Sequence, residues 1–204
     1  MKIRKGYLIL GIVLFIVSLV QAFVYDWAHY YTFFSLGMVF VLLEVYRGIK
    51  GKSVFEGWRG WQYVLFWVML IIACVFIDAF GMDAGYWVYP DYVSLFDDFL
   101  KYVFEWGVAL IYFMVGLMIG IEVCKKYFGM DKVVSFFVSL LVVVSALGLL
   151  TEYVNLFVDS WLILSMPLWN FKVGEFFVVF QTFGYWAIGV VPYLIWDLVR
   201  RFGK

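Results

Sequence analysis

Two cysteines, three prolines and one histidine are all that 204 residues supply of those types, and no stretch is polar enough for a separate soluble domain. Each shortage excludes something. Cys74 and Cys124 fall at opposite depths of two apolar runs, so no disulfide is expected, and with His29 alone they make no metal-ligand spacing. Both read as small buried apolar residues. Neither G-x-G-x-x-G after a strand nor G-x-x-x-x-G-K-[ST] occurs, so no nucleotide cradle is expected. Charge is scarce at 15% of residues, and the basic clusters are short and flank apolar runs. That disfavours nucleic acid and leaves anionic membrane lipids as their partners. No cofactor-binding or metal-ligand motif is read, so an enzyme of this kind must work with its own side chains, a metal or a diffusible partner.

What the chain has in plenty is apolar length. Six runs stand out: Gly6–Val24, Trp27–Tyr46, Trp61–Phe80, Phe99–Val123, Val133–Leu150 and Val173–Val199. Each is near the ~20 residues a helix needs to cross hydrocarbon. The expectation is an all-α polytopic membrane protein: residues 1–204 as one domain of six transmembrane helices in three hairpins. The first run follows Lys2, Arg4 and Lys5 without a small-x-small cleavage site, so it reads as a retained helix. Thirteen of the fifteen Lys and Arg fall on one side of the runs, and ten of the fifteen Asp and Glu on or just inside the other. The positive-inside rule puts both termini in the cytoplasm, the hairpin loops outside, and the protein in the cell membrane.

The outer loops Gly81–Asp98 and Tyr153–Lys172 are long enough to fold over the mouth of the bundle. Around them the chain looks like one unit used twice, 61–129 and 133–204. At an offset of 74, Asp78 falls on Glu152 and Trp87 on Trp161; with a small gap, Lys101 and Glu105 fall on Lys172 and Glu175. Such repeats can arrange equivalent residues around a shared central site. Glu105, Ala109, Tyr112, Gly116 and Gly120 share a helix face, and Gly116 and Gly120 suit close helix packing. Glu175, Thr182, Gly189, Pro192 and Trp196 lie near one face of the last helix, which Pro192 is expected to kink.

Ionisable residues within a span are paired, interior-facing or functional. By spacing, Glu44 meets Arg47, Glu122 meets Lys125 and Lys126, and Asp197 meets Arg200 and Arg201. Lys101 can meet Asp97, Asp98 or Glu105, and Lys172 can meet Glu175, so Glu105 and Glu175 are either functional or salt-bridged. Asp78 and Glu152 have no basic neighbour three or four residues away. They lead the candidate catalytic set of Asp78, Glu152, Glu105 and Glu175. Trp87, Trp161, Tyr89, Tyr112 and Thr182 are the expected substrate-binding residues. The two tryptophans each follow a candidate acid by nine residues, where an indole face suits a cation. Most other outer aromatics belong to an interfacial belt, and His29 reads as an interfacial polar residue.

The stretch Asp78-x-x-Gly81-x-x-x-Gly85-x-Trp87-x-Tyr89, with Glu105 on the next helix, resembles the integral-membrane lycopene (carotenoid) cyclase domain. Phe104-Glu105-Trp106 and Gly174-Glu175-Phe176-Phe177 would stand where that family carries a P-x-E-E-x-x-F-F-type motif. The sequence departs from that motif: Val103 and Val173 stand where the proline would, and no second carboxylate follows either Glu. The resemblance implies an isoprenoid-modifying membrane protein. Three functions follow from the residues: an intramembrane enzyme using carboxyl acid–base chemistry on an isoprenoid or other lipid, a transporter's substrate-binding component with an outer pocket for a small cationic ligand, or a structural subunit. The first predicts an apolar cavity open sideways to lipid, and the second a water-facing pocket capped by the long outer loops. The third predicts exposed outer acids and no pocket. A homo-oligomer or a membrane partner is compatible with each.

Overall fold

The computed structural model describes residues 3–165 and 184–202, together with the segments 172–173 and 176–177. It is 79% helical. The helices are α1 (Lys5–Tyr25), α2 (Tyr30–Lys50), α3 (Gly60–Asp83), α4 (Leu95–Phe128), α5 (Lys132–Asn155) and α6 (Tyr185–Phe202). Five of them, α1 to α5, are long and apolar enough to cross a membrane. Their ends follow local chemistry. Ser94 opens α4 with a capping box in which its hydroxyl accepts from the Asp97 N–H and Asp97 accepts from the Ser94 N–H. Asp131 opens α5 by accepting from the Val133 and Val134 amides. Gly51 and Gly129, both left-handed, close α2 and α4.

The sixth run departs from expectation. Its described helix begins at Tyr185, not Val173. Lys172–Val173 (β3) and Phe176–Phe177 (β4) instead pair as antiparallel strands. Valine and phenylalanine favour extended backbone, and a short apolar run does not by itself separate strand from helix. Glu175, Thr182, Pro167 and Trp169 lie outside the described residues, as does any pairing of Lys172 with Glu175.

α4 forms the axis of the bundle. Its residues from Gly107 to Leu117 are all buried, with α2, α3, α5 and α6 packed around it, while α1 rests mainly on α2. A Cβ at Gly120 would come within 2.7 Å of the Ser139 side chain, so glycine there lets α5 close on α4. π-helical turns interrupt two of the helices, at Leu100–Glu105 in α4 and Leu140–Val144 in α5. The first carries Lys101 and Glu105, both buried.

Charged pairs at the basic end follow spacing in part. Glu44 meets Arg47 at 3.5 Å, and Asp197 meets Arg200 at 2.9 Å and also Arg201. Glu122 instead meets Lys50 across helices at 2.6 Å, because the end of α2 lies beside α4. Both cysteines are buried and free.

Candidate functional site

At the other end of the bundle the two long loops are tied together. Trp87–Val88 (β1) pairs antiparallel with Leu162–Ile163 (β2), placing Trp87 opposite Ile163. The Ser165 hydroxyl donates to the Gly85 carbonyl at 3.0 Å, and Ser160 donates to the Ala28 carbonyl at 2.8 Å. Asn155 grips the Trp161 backbone from both sides, accepting from its N–H and donating to its carbonyl. The loops therefore hold Trp87 and Trp161 at fixed positions over the ends of α3 and α5.

Beneath them lies a small pocket of about 50 Å³. Asp78 and Glu152 both line it, with Trp87, Tyr89, Trp106, Trp161 and Tyr185; Cys74, Ile77, Leu110, Ile163 and Ile188 complete the wall. Each acid receives the indole N–H of the tryptophan nine residues further on. Trp87 Nε1 donates to Asp78 Oδ1 at 2.8 Å, and Trp161 Nε1 donates to Glu152 Oε1 at 3.2 Å. The sequence suggested an indole face; these bonds present the N–H edge, because a buried carboxylate needs donors more than it needs area. Glycine makes room in both halves. A Cβ at Gly81 would lie 1.9 Å from the Trp87 ring, and one at Gly148 would lie 2.6 Å from the Tyr185 ring.

The two carboxyls differ in their surroundings. Asp78 also accepts from the Tyr89 and Tyr102 hydroxyls, each at 2.7 Å, and pairs with Lys101 Nζ at 3.2 Å. Spacing along α3 hid that lysine, because it arrives from the π turn of α4. Lys101 also meets Asp98 at 3.1 Å, and its ammonium lies over the Tyr89 and Tyr102 rings at 4.3 and 4.5 Å. Burial pushes the Tyr89 phenol well above its ordinary value, with the Asp78 charge and hydrogen bond adding to it, so Tyr89 stays a donor. Glu152 accepts from Trp161 and from the Tyr185 hydroxyl at 2.5 Å, and no cation approaches it among the described residues.

Glu105 faces elsewhere. The π turn points Lys101 at α3 and Glu105 at α2, so the two do not pair. Glu105 Oε1 meets His29 Nδ1 at 3.0 Å and accepts from Thr32 at 3.3 Å, while Oε2 accepts from the Tyr92 hydroxyl at 2.5 Å. His29 Nε2 reaches Asp97 Oδ1 at 3.3 Å. His29 thus bridges two carboxylates and is no mere interfacial residue. The Glu105 hydrogen bond raises its pKa above 6.5 against opposing burial, and the Glu105 and Asp97 charges add to the rise. Tyr112 is fully buried behind the pocket, bonded to the Tyr31 hydroxyl at 2.6 Å and to Thr151 at 2.7 Å. Near it, the Tyr30 hydroxyl is buried without a hydrogen-bond partner among the described residues.

Spacing missed Tyr102, Lys101 as a partner of Asp78, His29 and Tyr185. A signal for Tyr185 existed: it falls three residues after Thr182 and four before Gly189, on the face already marked on the last helix. Asp78, Glu105 and Glu152 are 5%, 1% and 4% exposed, which disfavours acids that merely keep the loops solvated. No protein-family model matches the chain, and neither do curated proteins or solved structures.

Two outcomes follow. Lys101→Met leaves the Asp78 charge buried and uncompensated, and should cost about 3–5 kcal/mol of unfolding free energy in mixed micelles. Adding Asp78→Asn should recover much of that loss; simple additivity of the two would contradict the pair. His29 is raised in the folded state, so its contribution is complete below about pH 6.5 and lost as pH rises through the folded value. The thermal-stability advantage of the native chain over His29→Gln should therefore shrink from pH 6 to pH 9, and an advantage that grows over that range would refute the bridge.

Proposed function

We propose that this chain is a six-span cell-membrane protein with both termini cytoplasmic, acting as an enzyme on an isoprenoid or other lipid. The orientation rests on the sorting of Lys and Arg to one end of the runs. The catalytic proposal rests on one observation: two buried carboxyls line a single aromatic-walled pocket, and only Asp78 has a counter-ion among the described residues. Glu152 can give or take a proton without breaking an ion pair. Protonating an alkene carbon there forms a carbon–hydrogen bond and leaves a cation on the neighbouring carbon. The faces of Trp106 and Trp161 and the fixed negative charge of Asp78 would stabilise that cation. Loss of a proton from an adjacent carbon to a carboxylate then restores a double bond, so the step is an isomerisation or cyclisation with no net redox change. Glu105 would act from outside the pocket, through His29 and Tyr92, and not as an acid on substrate.

A second function is favoured by a specific parallel. The Asp78 half already holds an ammonium, that of Lys101, between a carboxylate and tyrosine faces. Glu152, beside Trp161 and Tyr185, offers similar chemistry, so a ligand amine would suit it in a binding or transport component.

The protein in nanodiscs, incubated in deuterated water with an isoprenoid-containing lipid extract, should place solvent deuterium on an isoprenoid carbon, read by mass spectrometry. Glu152→Gln should cut that incorporation about a hundredfold or more. Full incorporation by Glu152→Gln would remove Glu152 from the chemistry. No incorporation, with stabilisation by a hydrophobic amine that Glu152→Gln abolishes, would favour the binding function.

A further inference from the structure

We propose that the basic end of the bundle holds a second site, for a phosphate-bearing anion. A recess of about 420 Å³ opens there, lined by Lys50, Lys52, Lys125, Lys132 and Arg200 against only two acids, Glu56 and Glu122. Two of the cations are already matched, Lys50 by Glu122 at 2.6 Å and Arg200 by Asp197 at 2.9 Å. Lys52, Lys125 and Lys132 have no carboxylate partner among the described residues, yet all three line the same recess.

Membrane topology alone asks only that lysines lie on the cytoplasmic side. It does not ask that three of them, from the loop after α2, the last turn of α4 and the first turn of α5, converge. The chain arranges that with two tight turns. Gly51, at φ 77°, bends the chain just before Lys52, and Gly129, at φ 63°, reverses it between Lys125 and Lys132. Bringing like charges together is unfavourable unless an anion joins them.

The lining also identifies the ligand class. Lysines act as point charges rather than planar forks, which suits a tetrahedral phosphate better than bidentate carboxylate recognition. Tyr46, Val54, Met118, Ile121 and Trp196 give the recess apolar wall beside its polar rim. That combination fits a phosphate ester, either the headgroup of an anionic phospholipid or a soluble phosphate compound.

The test compares the native chain in phosphatidylcholine nanodiscs with Lys52→Gln/Lys125→Gln/Lys132→Gln, and with Lys5→Gln/Lys126→Gln as a control that removes basic charge outside the recess. Binding of dioctanoyl phosphatidylglycerol and of inorganic pyrophosphate is titrated by native mass spectrometry and thermal shift. Saturable binding of either probe, weakened about tenfold or more in the triple variant and unchanged in the control, is the expected result. Phosphatidylglycerol binding alone would make the source a lipid headgroup, and pyrophosphate binding a soluble phosphate. Should the triple variant not fold, Lys125→Gln alone should weaken binding about fivefold. Binding of neither probe, or equal losses in the recess and control variants, would overturn the site.

Discussion

An ionised carboxylate brought into a low-dielectric bundle costs several kcal/mol unless donors from the same bundle surround it. Asp78 illustrates how far the chain goes to meet that requirement. It receives an indole N–H from the outer loop, two phenols, and an ammonium from the next helix. Glu105 and Glu152 each collect two or three donors in the same way. These donors come from segments far apart in sequence, so satisfying the acids fixes how the loops fold over α3, α4 and α5. The β1–β2 pairing and the glycines beside the acids are then parts of one arrangement, in which the loop aromatics must reach inward.

The π turn at Leu100–Glu105 connects this requirement to helix packing. A regular helix would place Lys101 and Glu105 one turn apart on the same face and invite them to pair. The widened turn sends the lysine to Asp78 and leaves the glutamate to His29. Two separate polar centres result where one internal salt bridge would otherwise sit. One of them borders the apolar pocket; the other runs toward the surface through His29 and Asp97. π turns recur at functional sites for this reason: they trade a backbone bond for a new side-chain direction.

Much of the membrane character was legible in the sequence, because hydropathy and helix length are one-dimensional properties. Runs one to five appear as helices within a few residues of their expected ends. Val173–Val199 followed only from Tyr185 onward, and at its start Val173 and Phe176–Phe177 are strand, since an apolar run rich in valine and phenylalanine carries no mark that separates strand from helix. Within the site, the nine-residue step from acid to tryptophan was visible, and both indoles do meet their acids. The Lys101–Asp78 pair was not visible, because spacing compares neighbours on one helix and says nothing of the next. His29 was undervalued for the same reason: its partner Glu105 is distant in sequence and adjacent only in the fold.

The two ends of the bundle thus hold opposite chemistry, acids under an aromatic lid at one and lysines around an open recess at the other. Among the described residues Asp78 has a counter-ion and Glu152 has none, and the proposed proton exchange at Glu152 rests on that asymmetry. A lipid-soluble carbodiimide measures this directly, since it forms a stable adduct only with a carboxyl that carries a proton in an apolar setting. Peptide mass spectrometry of the treated protein should find the adduct on Glu152 and not on Asp78. An adduct on Asp78 with Glu152 unmodified would contradict the account.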